Sequence, residues 1–214
     1  MHARKGTYWG RFASRYDRAT EYVVGRDIRE GLADELLREE PLQKVLECGC
    51  GSGYFTRILA EHSSQVLATD LSAEMLETAM IRLGRFPNVR LQEADCSDLP
   101  FPDEQFDTVV MANVLHTLPN PLRALREAGR VVRQNGLVLA LSYTNFGMSP
   151  WEAFWMALRY YRMFGPPPPE GLILFTPSRL RELLEEASLA VQEIRVIGLR
   201  TPALYARAVK KQKI

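Results

Sequence analysis

Long apolar runs are missing from this sequence, and so is any block of like charge inside it. No stretch approaches the roughly 18 consecutive apolar residues that a membrane-spanning helix needs. The N-terminus shows no apolar segment behind its charges, which argues against a secretory leader. Cysteine is scarce: three residues in 214, with Cys48 and Cys50 separated by one position, make no disulfide framework. A reduced, cytoplasmic setting is the resulting expectation. The 27 basic and 26 acidic residues leave a formal charge of +1, too small for a broad footprint on a phosphate backbone. Lys210-Lys211-Gln212-Lys213 is the only like-charge cluster and reads as a solvated terminus. With three histidines and a C-x-C spacing unlike that of zinc sites, no metal is expected.

What the chain does have is alternation. Short apolar runs at 44–47, 65–70, 89–93, 106–111 and 137–141 read as strands. Between them lie amphipathic segments, among them Tyr54–Glu61, a helix capped by Ser72, and one opened by Asn120-Pro121 that reaches Val132. A helix over Asp27–Arg38 precedes the first strand. Fivefold alternation of short apolar strands with helices predicts a doubly wound α/β fold, mostly parallel and covered on both faces. After a helix opened by Thr176-Pro177, the runs Leu189–Val196 and Ala203–Val209 are too close together for a crossover. They predict a C-terminal antiparallel hairpin. At 214 residues the whole chain, 1–214, reads as one domain. Its extras are a helical cap over residues 1–40 and an aromatic insertion over 144–175, with Pro166 to Pro169 as an extended segment.

Chemistry concentrates at Glu47-Cys48-Gly49-Cys50-Gly51-Ser52-Gly53, directly after the first strand. Ligands of open α/β sheets bind at the carboxyl ends of the strands, and glycines there let backbone approach a ligand closely. Asp70 ends the second strand, where a carboxylate can accept from both hydroxyls of a ribose. A dinucleotide fingerprint would need a glycine at Tyr54. Glu47 would also repel a pyrophosphate, whereas it suits a ligand carrying ammonium or sulfonium charge.

This E-x-G-x-G-x-G pattern resembles the first motif of the class I S-adenosylmethionine-dependent methyltransferases. The likeness continues through Asp70-Leu71-Ser72, the turn Ala94-Asp95-Cys96-Ser97-Asp98-Leu99-Pro100-Phe101, and Phe106 to His116. It is nearest to the small-molecule branch typified by ubiquinone and menaquinone biosynthesis enzymes, a branch that Phe12-Ala13-Ser14-Arg15-Tyr16-Asp17 also resembles. The resemblance implies the seven-stranded methyltransferase fold and S-adenosylmethionine as cofactor. It further implies that Gly49, Gly51 and Gly53 admit the cofactor's methionine and ribose, with Glu47 near the methionyl amino group. Asp70 would take the ribose, Leu71 and the Cys96 backbone the adenine ring, Asp95 the adenine amino group, and Asn113 the methionyl ammonium. Cys48 and Cys50 read as inert spacers.

Transfer from a sulfonium needs chiefly proximity and orientation. His116, at the mouth of the site, is the candidate base. Tyr8, Trp9, Phe12 and Tyr16 with Trp151 and Trp155 would wall in a small apolar or aromatic acceptor. The loop Asn113-Val114-Leu115-His116 lacks the sequence that clamps an exocyclic amine, which disfavours nucleic-acid methylation. The alternative function is a non-catalytic cofactor-binding subunit acting through a protein partner; a nicotinamide-dependent dehydrogenase is a remote third. The accepting atom and the oligomeric state are not encoded legibly.

Overall fold

Strand β1 (Leu42–Cys48) is an interior strand of a seven-stranded sheet, third from one edge. The computed structural model describes residues 7–169, 171–198 and 200–211. Residues 1–6 of the expected cap, Glu170 of the insertion, Leu199 between the last two strands, and Gln212-Lys213 of the basic tail lie outside the described residues.

Parallel to β1 run β2 (Ser63–Asp70) on one side and β4 (Phe106–Ala112) on the other. Beyond them lie β3 (Val89–Glu93) and β5 (Val132–Tyr143), also parallel to their neighbours. Strands β6 (Leu189–Ile197) and β7 (Ala203–Lys210) form the expected hairpin, with β7 antiparallel to both β5 and β6. The order β3-β2-β1-β4-β5-β7-β6 reverses direction between β1 and β4. A crevice therefore opens at their carboxyl ends.

Alternation along the strands splits the core into two layers. Val45, Val110 and Leu139 pack with Leu32 and Leu36 of α2 (Arg26–Leu37) and with Ile58 and Leu59 of α3 (Tyr54–His62). Leu46, Val109 and Met111 pack with Leu125 of α5 (Pro121–Val131) and Leu184 of α7 (Pro177–Glu186). The side chains of Asn120 and Thr176 cap those last two helices, and Ser72 caps α4 (Ala73–Leu83).

Three local departures have physical causes. No helix joins β3 to β4, because Pro100 and Pro102 interrupt that segment. Strand β5 begins five residues early and runs through Asn135-Gly136; Asn135 takes φ +56° and the pairing with β4 shifts register opposite it. In the 144–175 segment the chain forms α6 (Pro150–Phe164). Its entry is a full capping box, with the Ser149 side chain bonded to the Glu152 N–H and Glu152 reaching back. A short helix α1 (Tyr16–Val24) likewise occupies the aromatic N-terminal region.

Candidate functional site

The glycine loop is a consequence of β1 ending beside β2. Both the Gly49 and Cys50 N–H groups donate to the Thr69 carbonyl at 2.8 Å, while the Thr69 hydroxyl donates to the Glu47 carbonyl at 2.9 Å. This clamp forces the chain to turn sharply. Gly49 takes φ +74°, and a Cβ there would stand 2.5 Å from a Val114 methyl. Gly53 takes φ +78° at the start of α3, where a Cβ would meet Leu83 at 2.8 Å. Glycine is required at both for backbone geometry and space.

Asp70 closes the loop from β2. One carboxylate oxygen accepts from the Gly51 N–H at 2.8 Å and the other from the Ser72 N–H at 2.9 Å. Each oxygen keeps a lone pair for a ligand hydroxyl. Burial raises the Asp70 carboxyl above the ordinary range, against these two backbone donors.

A cleft of about 280 Å³ opens over these groups. Gly49, Gly51, Asp70 and Leu71 line it together with Asp95, Cys96 and Asn113, and so do Tyr8, Trp9 and Tyr16. Asp95 shapes its own turn, accepting from the Ser97 N–H at 2.8 Å. Asn113 adopts φ +57° at the end of β4; its Oδ1 accepts from the Tyr143 N–H, and its buried Nδ2 has no partner among the described residues. Such an orphaned buried donor beside a cleft is ordinarily satisfied by a ligand or water. Sequence reasoning missed Met75, Val114 and Leu118 on the same wall, since helical and loop apolar residues carry no site signal of their own.

Two expected cofactor contacts are placed differently. Gly53 lies against Leu83 and Ala79 instead of on the cleft wall. Glu47 is buried behind the loop, where the Thr56 hydroxyl donates to it, and it lines neither cavity. Desolvation pushes its carboxyl up to about 7. All three cysteines are buried, and burial pushes their thiols up, Cys96 to about 12, which favours the neutral thiol over the nucleophilic thiolate.

A second cavity of about 620 Å³ adjoins the first, and Trp9 and Tyr16 belong to both walls. Its remaining surface is mostly apolar: Val23 and Val24 from α1, Met156, Tyr160 and Phe164 from α6, and Leu174 from the following loop. His116 lies on this wall, its Nδ1 3.5 Å from the Ser142 hydroxyl. Burial lowers its imidazolium pKa to about 4, so the ring is neutral at physiological pH. Phe12, Trp151 and Trp155 line neither cavity. The Phe12 ring is buried edge-on against Phe164 in the core, and the two tryptophans point outward from α6.

The sequence pattern does not reveal what fastens α1 to the glycine loop. Asp17 accepts from Ser52 Oγ at 2.9 Å, pairs with Arg29 at 2.7 Å, and also pairs with Arg82 of α4. Arg82 in turn donates to the Ser52 carbonyl at 2.9 Å. The two guanidinium groups hold the Asp17 carboxyl below its ordinary value despite partial burial. This link spans 35 residues to Ser52 and 65 to Arg82, beyond any local signal.

Among the described residues there is no cluster of three or more histidine, cysteine or acidic groups suited to a metal ion, and no helix long and apolar enough to cross a membrane.

Comparison with known proteins converges on one family. Residues 46–140 match the methyltransferase domain family. An uncharacterized methyltransferase-like protein of Schizosaccharomyces pombe is 34% identical over 148 residues, covering 68% of this chain and 55% of that protein. Demethylmenaquinone methyltransferase of Lysinibacillus sphaericus is 34% identical over 105 residues, 48% of this chain and 45% of that enzyme. The chain thus spans about half the length of these curated relatives. A crystal structure from Thermotoga maritima, described as a possible histamine N-methyltransferase, superposes with a TM-score of 0.73 at 20% identity, covering 95% and 99% of the two chains; it shares the fold. Over residues 46–140 the chain thus matches the methyltransferase domain family, and it resembles S-adenosylmethionine-dependent methyltransferases, demethylmenaquinone methyltransferases among them.

Proposed function

We propose that this protein transfers a methyl group from S-adenosylmethionine, held in the 280 Å³ cleft, to a small apolar or aromatic acceptor held in the 620 Å³ cavity. The observation that carries this reading is the shared wall: Trp9 and Tyr16 border both spaces, so two bound molecules would meet there. The larger space has the size and apolar lining of a small-molecule site.

The residues present fit the cofactor. The cradle at Gly49 admits no side chain, Asp70 offers two oxygens to a ribose diol, and the orphaned Asn113 amide faces the same region. Leu71 and the Cys96 backbone would flank the adenine, and Asp95 would accept from its amino group. Gly53 and Glu47 contribute from behind, Gly53 by fixing the entry to α3 and Glu47 by placing a carboxyl under the loop. When bound, the cofactor supplies an activated sulfonium methyl. What the protein adds is alignment, a source of up to roughly 7–11 kcal/mol in well-oriented systems. The described parts of the 1–40 cap and of the 144–175 insertion would shield the acceptor from water, with Trp9 and Tyr16 at the junction. His116 can accept a hydrogen bond from an acceptor hydroxyl, but a base with so low a pKa takes up a proton weakly. Positioning therefore carries the reaction, and Phe12, Trp151 and Trp155 take no part in it.

The test is incubation of the purified protein with S-adenosylmethionine labelled in its methyl group and a fractionated cell extract. Label in the solvent-extractable small-molecule fraction, lost with Asp70→Ala, is the expected result. Label in protein or nucleic acid, or none in any fraction, would overturn the reading.

A further inference from the structure

Helix α6 is apolar on both sides. Its inner face, through Ala153, Met156, Tyr160 and Phe164, lines the larger cavity. Its outer face presents Trp151, Phe154, Trp155 and Leu158 at i, i+3, i+4 and i+7 spacing, followed by Arg162. Trp151 is 67% exposed, Phe154 53% and Trp155 44%. The three rings are not scattered: Trp151 stacks on Phe154 at 5.7 Å with an interplanar angle of 18°, and Trp155 meets both edge-on. A helix that is apolar all round normally lies in a protein interior or a membrane. Within the described residues nothing covers this outer face.

We propose that the outer face of α6 docks the protein on an anionic lipid bilayer, the helix lying in the plane of the headgroups. Tryptophan and tyrosine rings favour that depth, where their apolar bodies and polar edges are both accommodated. The charge on the helix matches as well. Arg159 and Arg162 pair with no carboxylate among the described residues, while Glu152, the helix's one acid, is held in the capping box with Ser149. The face is therefore aromatic and net cationic, the pairing that binds interfacial helices to anionic lipid. At 15 residues α6 is too short to span a bilayer and suits lying on one. Position supplies the third argument. Tyr161 and Leu174 are 61% and 42% exposed, yet both line the larger cavity, so its mouth opens at the border of the same patch. An apolar molecule dissolved in the bilayer would enter without crossing water. That last point rests on the proposed acceptor reading; the docking itself does not.

The test reads binding and not turnover, so its failure is separable from failure of methyl transfer. Purified protein is sedimented with vesicles of phosphatidylcholine alone and of phosphatidylcholine with phosphatidylglycerol, and its tryptophan emission is recorded. Two of the three tryptophans lie in the patch. The expected result is cosedimentation with the anionic vesicles and a blue-shifted emission. Partitioning should fall at least about tenfold in Trp151→Ala/Trp155→Ala and in Arg159→Glu/Arg162→Glu, both folded by circular dichroism. Protein that stays in the supernatant with anionic vesicles overturns the proposal. So does equal binding by the variants, or a dimer in solution that the tryptophan substitutions dissolve while no vesicle binding is seen.

Discussion

The two cavities that meet at Trp9 and Tyr16 are built on opposite principles. The smaller is shaped by main chain: strand ends β1, β2 and β4 hold the glycine loop, and Asp70 fastens it through the Gly51 N–H while the Ser72 N–H fixes its other oxygen. The larger is shaped by side chains of two helices, α1 and α6, that come from distant parts of the sequence. Main chain in a parallel sheet has little freedom to move, whereas a wall of apolar side chains can be re-cut one residue at a time. One half of the site is thus fixed by backbone hydrogen bonding, and the other is open to respecification.

That contrast can be broken at the cofactor side first. Asp70→Ala should weaken S-adenosylmethionine binding close to a thousandfold, about 4 kcal/mol for two charge-assisted hydrogen bonds, in calorimetric titration. A loss under about tenfold would show that the carboxylate serves the loop alone. Next is the buried Glu47, whose folded pKa of about 7 lies above the ordinary 4.5. Its protonated form is the favoured one in the fold. The associated stability is fully present below about pH 4.5 and is lost as pH rises through 7, on the order of 3 kcal/mol in all. Chemical denaturation from about pH 4.5 to about pH 7.5 should show this slope in the wild type and not in Glu47→Gln.

Gly49→Ala, forced to place a methyl against Val114 at φ +74°, should destabilise the fold by about 2 kcal/mol in thermal unfolding. Asp17→Asn belongs to both halves, since it unties α1 from Ser52 and Arg82. Its expected cost is about 1–2 kcal/mol in stability, with weaker cofactor binding and a higher KM for the acceptor together. A change in one constant alone would separate what the geometry joins. The smallest effect belongs to His116→Gln, below about tenfold in transfer rate. By NMR the wild-type imidazole should stay neutral as pH falls from 6.5 towards 4. The stability tied to that neutral ring, present above 6.5, should be lost as pH falls through about 4.

The same division governs what can be read in the sequence. The glycine loop, Asp70, the parallel strands and the C-terminal hairpin are legible because each is written in adjacent residues: alternating glycines, a strand-end carboxylate, short apolar runs, a connection too tight for a crossover. Helix α6 escapes a sequence reading although Ser149 and Glu152 spell its capping box, because four prolines further on suggest an extended segment. Residue type alone points Trp151 and Trp155 inward; their helical phase, once α6 exists, turns them outward. The Asp17 link and the Asn113 conformation depend on partners brought close by the fold, and no local pattern encodes them.

The Tyr8 hydroxyl has a consequence for the order in which the site is made. It lies 2.8 Å from the Pro166 carbonyl and 3.1 Å from the Tyr160 hydroxyl, holding the N-terminal segment against the far end of α6. That clasp closes a loop of 158 residues, against 19 for the Gly51–Asp70 bond. In chain entropy the longer closure costs about 2 kcal/mol more. The glycine-loop floor of the smaller cleft can therefore assemble early from near neighbours, while its Tyr8–Trp9–Tyr16 lining and the larger cavity are completed only when the distant segments have docked. Under the proposed function, a folded glycine loop is not yet a site closed around its two ligands.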